Sequence, residues 1–230
     1  MSEMISNNNT QLLSEIRECA ERFAGSLPDC IQAAGLTFKS KLPFKALSIR
    51  ELMLHRMAAL SIATVELFEK KQVIPAVILT RSIVETLAVL FTFHERLDRF
   101  LKDNTKDIAI LDDFLMRCLV GARNIPEMPT PTNILTLIDC VEKTIPGFRS
   151  VYDALCEYAH PNWAGTFGAF GQVDKEKLEL KLGPTERTPA YSTGLNALSV
   201  SMMIFEHYYN ASAELVRQLN DYFDKTSDDT

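Results

Sequence analysis

The sequence predicts a mainly α fold, a single-domain bundle of about six or seven helices with one small β-hairpin before the last helix. Three observations carry this reading. No proline falls between Ala76 and Ile125, and none follows Pro189. Five of the nine glycines crowd between Gly147 and Gly183. The apolar period is helical along most of the chain and switches to strict alternation only at Lys177–Leu182. Long proline-free, glycine-poor stretches with periodic apolar residues are helices, and clustered glycines mark where the chain does something else.

The first helix is predicted over Gln11–Ala24, with Leu12, Leu13, Ile16 and Phe23 as its apolar residues. Ser26–Lys41, carrying Pro28 and Gly35, reads as a loop with a short turn. The next helix runs from Phe44 or Ser48 to Lys71. Ser48-Ile-Arg-Glu51 fits a capping box, in which hydroxyl and carboxylate satisfy free N–H groups at a helix start. It fits equally an internal segment of a helix begun at Pro43. Glu66 and Lys70 form a favourable i,i+4 pair.

Val73–Phe93 is apolar on all sides of its helical wheel, the mark of a membrane span or a central core helix. Arg81 and Glu85 sit in its middle, and each central charge costs roughly 2.5–3.5 kcal/mol on insertion. The core helix is therefore the expected role, with no membrane contact. Further helices are predicted at Lys106–Ala122, Asn133–Lys143 and Phe148–Ala159. Pro126, Pro129 and Pro131 stiffen one linker, Pro146-Gly147 makes a turn, and Pro161 ends the third helix.

Lys177–Leu182 alternates as a strand with one buried face. Thr166–Val173 is its expected partner across an Asp174-Lys175-Glu176 turn, giving a hairpin over about 166–182. A lone hairpin is marginal in water, so it is expected to pack on the bundle. The last helix runs from Ala190 or Ser192 to Phe223. Its Gly194, Ala197, Ser199 and Ser201 permit close helix approach. All of 1–230 is read as one domain, with disordered termini at about 1–9 and 226–230.

The chain has 230 residues, of which 47% are apolar, and a net charge of −6. That composition excludes bulk disorder and collagen-like structure. The acidic balance disfavours RNA, nucleotide or DNA partners, because phosphate neutralisation supplies most nucleic-acid affinity. Five separated cysteines without a CxxC exclude zinc-finger and thioredoxin-type motifs. With no signal peptide visible, a cytoplasmic location is expected.

Two segments carry residues suited to chemistry. Arg81 and Glu85, four apart, share a helix face within the most apolar stretch. They read as a structural ion pair fixing helix register, or as a pocket wall for an anion. The second segment is Tyr152-Asp-Ala-Leu-Cys-Glu-Tyr-Ala-His-Pro-Asn-Trp-Ala-Gly165. In the bland reading His160 and Asn162 finish a helix terminus and Trp163 packs as a plug. In the functional reading His160 is a general acid/base oriented by Glu157, while Tyr152, Asn162 and Trp163 contact a ligand. Arg81 and Glu85 are expected to meet Glu157, His160 and Asn162 in space. Glu157-x-x-His160 is half of a di-metal carboxylate motif, and Glu51/His55 could face it. A second Glu-x-x-His copy is missing, so no metal is expected. Gly165, Gly168 and Gly171 read as a glycine-rich strand under a helix, and His94 and His207 as ordinary helix residues. No dinucleotide loop, P-loop, GxSxG or kinase signature occurs, and no cofactor is expected.

Arg81-Ser-Ile-Val-Glu-Thr86 and Glu157-Tyr-Ala-His-Pro-Asn162 resemble motifs of an uncharacterised group of bacterial helical-bundle proteins. Some of that group look like distant relatives of the HEPN superfamily. The resemblance spans Val73 to Gly183. It implies a helical bundle, often dimeric, from toxin–antitoxin or phage-defence systems. Many HEPN proteins are metal-independent ribonucleases built on Arg-x(4–6)-His. Here the nearest preceding arginine is Arg149, with ten residues between it and His160. The resemblance therefore implies a binding or regulatory module, with a HEPN-like ribonuclease or other hydrolase using His160 as the alternative. The long apolar helices are candidates for pairing with a second copy or a protein partner.

Overall fold

The computed structural model describes residues 2–185 and 189–225. Helix α1 spans Ser2–Gly25, so the chain is helical from Ser2, where disorder was expected over 1–9. The tail at 226–230 lies outside the described residues. Ile16, Ala20 and Phe23 recur at helical spacing and bury one face of α1.

Helix α2 spans Leu42–Glu69 with Pro43 in its first turn, where a missing N–H costs nothing. Ser48-Ile-Arg-Glu51 is thus internal and caps nothing. The Ser48 hydroxyl donates back to the Phe44 carbonyl at 2.7 Å. Lys71, at φ 56°, reverses the chain into helix α3, Val73–Lys102. α3 outruns its predicted end at Phe93 because Leu97 and Phe100 remain buried beyond it.

α3 is the only helix, among the described residues, long and apolar enough to cross a membrane. In the bundle it packs along α2 and most extensively along the last helix. Helix α4 (Ile108–Val120) starts where the Asp107 carboxylate accepts from the Ile110 N–H. Asn133 caps helix α5 (Ile134–Glu142) in the same way. Helix α6 (Phe148–Ala159) follows Gly147, whose φ of 90° favours glycine. Together α5 and α6 cover a flank of α3.

After Pro161 the structure departs from expectation. Trp163–Phe167 is a π-helical turn and Gly168–Phe170 a single α turn, α7. The predicted strand from Thr166 therefore starts only at Gly171. Strand β1 is Gly171–Asp174 and β2 is Glu179–Leu182, an antiparallel pair. The alternation at Lys177–Leu182 does not signal a face buried within this chain, since every residue of β2 is exposed. Nor does the hairpin lie on the bundle; beyond itself, its main contact is the preceding turn.

Helix α8 (Ala190–Lys225) closes the fold against α1, α2, α3 and α6. A Cβ at Gly194 would meet Val77 Cγ2 at 2.8 Å and Phe68 Cζ at 2.9 Å. Only glycine lets α8 sit that close to α2 and α3.

Candidate functional site

The half-buried charges of α3 find their partner on α6. The Tyr152 hydroxyl donates to Glu85 Oε1 at 2.9 Å and accepts from Arg81 Nη2 at 3.1 Å. Arg81 Nε also lies 3.2 Å from Glu85 Oε1. This closed triad ties two helices together while its charged groups stay partly open to solvent. Burial pushes the Tyr152 hydroxyl up to about 12, with Glu85 adding to the shift and Arg81 opposing it. The tyrosine is a neutral donor at physiological pH. Burial works against the Arg81 charge, but Tyr152, Cys156 and Glu85 outweigh it and raise its pKa.

The expected meeting of Arg81 and Glu85 with Glu157, His160 and Asn162 is not made through hydrogen bonds or ion pairs. Tyr152, two turns earlier on α6, takes that place. Glu157 instead accepts from Asn162 Nδ2 at 2.7 Å. His160 is the exposed C-cap of α6, and its imidazole has no hydrogen-bond or ion-pair partner among the described residues. No carboxylate orients it.

Asn162 organises the exit turn. Its Oδ1 accepts from the Gly165 N–H at 3.1 Å, and its carbonyl accepts from the Thr166 N–H at 2.9 Å. The Thr166 hydroxyl bonds the same carbonyl. A Cβ at Gly165 would come within 2.1 Å of the His160 carbonyl oxygen and 2.6 Å of the Tyr158 carbonyl oxygen. Gly165 and Gly168 thus serve a turn folded against the end of α6, where a strand under a helix was expected, and only Gly171 opens a strand. Gly168 lies beneath the Trp163 ring, since a Cβ there would touch Trp163 Cη2 at 3.6 Å. The return segment is stitched to this turn: Thr185 donates through N to the Ala169 carbonyl and through Oγ1 to the Gly168 carbonyl.

Between turn and return segment lies an open cleft of about 600 Å³, lined by Tyr158, Trp163, Phe167, Gln172, Pro184, Thr185 and Pro189 among others. The size falls in the range of small-ligand pockets. Trp163 does not plug the fold; it is 73% exposed in the cleft wall. His160 is not among the lining residues.

A second Arg–Glu–Tyr cluster was not foreseen from sequence. Arg50 pairs with Glu51 and stacks 3.6 Å over the Tyr209 ring, while the Tyr209 hydroxyl donates to Glu51 Oε2 at 2.8 Å. Both charged side chains are almost wholly buried between α2 and α8. Burial and the bond to Glu51 push Tyr209 up to about 12. The adjacency Arg50-Glu51 was the available signal, but its partner lies 158 residues on. Glu51 is therefore committed elsewhere than to Glu157/His160, and the His55 ring bonds the Pro28 carbonyl at 2.9 Å. Among the described residues no group of three or more His, Cys, Asp or Glu side chains could hold a metal ion.

No protein-family model matches the sequence, and no curated protein or solved structure shows a significant match to it.

Proposed function

We propose that the protein is a binding or regulatory module that captures an apolar polypeptide segment in the cleft beside Trp163. The observation that carries this reading is the exposed tryptophan itself. A large apolar ring left in water gains nothing for folding, yet Asn162, Gly165 and Gly168 fix the turn that presents it. Rigid exposed aromatics beside a groove supply binding energy at low entropic cost. The cleft adds apolar walls from Phe167, Pro184 and Pro189, with Gln172 and Thr185 as polar groups suited to a peptide backbone. A partner-binding role also suits the resemblance to HEPN-type bundles of toxin–antitoxin and defence systems.

The ribonuclease alternative has weaker support. His160 lacks an orienting group, and the Arg81 guanidinium is engaged by Tyr152 and Glu85. The test is selection of a random-peptide display library on wild-type protein, counter-selected on Trp163→Ala. Apolar peptides that bind wild type and lose the variant are the expected result. Failure to select any peptide, or equal binding to both proteins, would overturn the proposal.

A further inference from the structure

The hairpin is amphipathic with its apolar side bare. Register sets Val173 opposite Leu180 and Gly171 opposite Leu182 on one face. Gln172, Lys181, Asp174 and Glu179 occupy the other, where Lys181 reaches Asp174 at 3.3 Å. On the apolar side Val173 is 54% exposed, Leu180 50% and Leu182 82%, with Leu178 at 92% beside them. Among the described residues the sheet has two strands, and the outer edge of β2 has no strand neighbour. A two-stranded hairpin is marginal alone, and three or more strands are needed for independent stability. An exposed edge is also a template for pairing with another chain.

The sequence of that edge is self-complementary. Within β2, Glu179-Leu-Lys181 is symmetric about Leu180 and opposite in its charges. We propose that two copies of this chain pair antiparallel through β2, about a two-fold axis at Leu180, to form one four-stranded sheet. In that register Leu180 faces its own mate. Leu178, at φ 54°, lies in the turn before β2, so the ladder itself is carried by Glu179, Leu180 and Lys181 of each copy. On the polar face Glu179 meets Lys181 in both directions, and opposite charges directly across strands are favourable. Residues 174–181 carry Asp174, Glu176 and Glu179 against Lys175, Lys177 and Lys181, a net charge of zero (three against three), so the edge does not repel its copy as the acidic chain as a whole would. An isologous contact of this kind closes at two subunits.

Sedimentation equilibrium from low to several hundred micromolar reads the outcome. Wild type is expected to pass from 25.9 kDa to twice that mass. Leu180→Lys sets two ammonium groups side by side at the axis and should weaken the dimer roughly tenfold or more. Glu179→Lys and Lys181→Glu should each weaken it, and the double exchange should restore it. Far-UV circular dichroism and the thermal midpoint, unchanged in each variant, show that the bundle is intact. A wild type that stays monomeric throughout overturns the proposal. So does a dimer indifferent to Leu180→Lys, which would place the contact on the helices. A monomer that co-sediments with phosphatidylcholine vesicles would assign the apolar face to a lipid surface and overturn it equally.

Discussion

Trp163→Ala separates a recognition residue from a structural plug. Trp163 is 73% exposed, so about 27% of its surface is covered in the fold. A tryptophan offers up to about 250 Å², which leaves roughly 70 Å² protected from water. At about 25 cal/mol per Å² this is worth at most about 1.7 kcal/mol. Truncating an aromatic packed in a core costs about 3–5 kcal/mol instead, because transfer and cavity terms add. The expected loss for Trp163→Ala is therefore about 1–1.5 kcal/mol, measured by urea unfolding at constant m. Leu155→Ala, on the same end of the bundle but wholly buried, should cost about 2–5 kcal/mol and serves as the reference. Because tryptophan fluorescence vanishes in the variant, unfolding is followed by far-UV circular dichroism. A loss of 3 kcal/mol or more for Trp163→Ala would mean that the ring holds the turn and its neighbours together, and the recognition role would fall.

Three further outcomes follow from the polar clusters. Glu51→Ala strands the buried Arg50 charge and removes the acceptor of Tyr209, so chemical denaturation should show a loss of about 3 kcal/mol. His160→Ala removes an exposed ring without a side-chain partner, so its stability should stay within about 0.5 kcal/mol of wild type. Burial pushes the Tyr152 and Tyr209 hydroxyls up to about 12, above the ordinary tyrosine value of about 10. The raised pKa favours the neutral form, so their contribution is complete below pH 10 and is lost as the pH rises toward 12. Unfolding free energy measured across that window should fall, and the slope should flatten in a Tyr152→Phe/Tyr209→Phe double variant.

Local pattern made the helices legible. Capping by Asp107 and Asn133, the left-handed Gly147 and the stop at Pro161 are all written within a few residues of where they act. The central packing of α3 also followed locally, from apolar residues on every side of its helical wheel. What sequence could not supply was long-range pairing. Arg81 and Glu85 needed a partner on another helix, and α6 offered several polar residues; Tyr152 won because it projects from the buried face of α6, whereas Glu157 and His160 are exposed. Tyr209 lies too far along the chain for spacing to reveal its tie to Glu51. Of the glycine triplet only Gly171 lies in a strand, because a period of three suits the tight turn at Gly165 and Gly168 as well as a strand. Alternation in β2 correctly indicated a strand, but alternation reports amphipathicity and not which molecule covers the apolar side.

The most direct measurement is the emission of Trp163, the chain's single tryptophan, titrated with the display-selected peptides. The cleft reading predicts a saturable blue shift and protection from acrylamide quenching, with an affinity that matches calorimetry. Peptides that bind by calorimetry while Trp163 stays equally quenchable would contradict it.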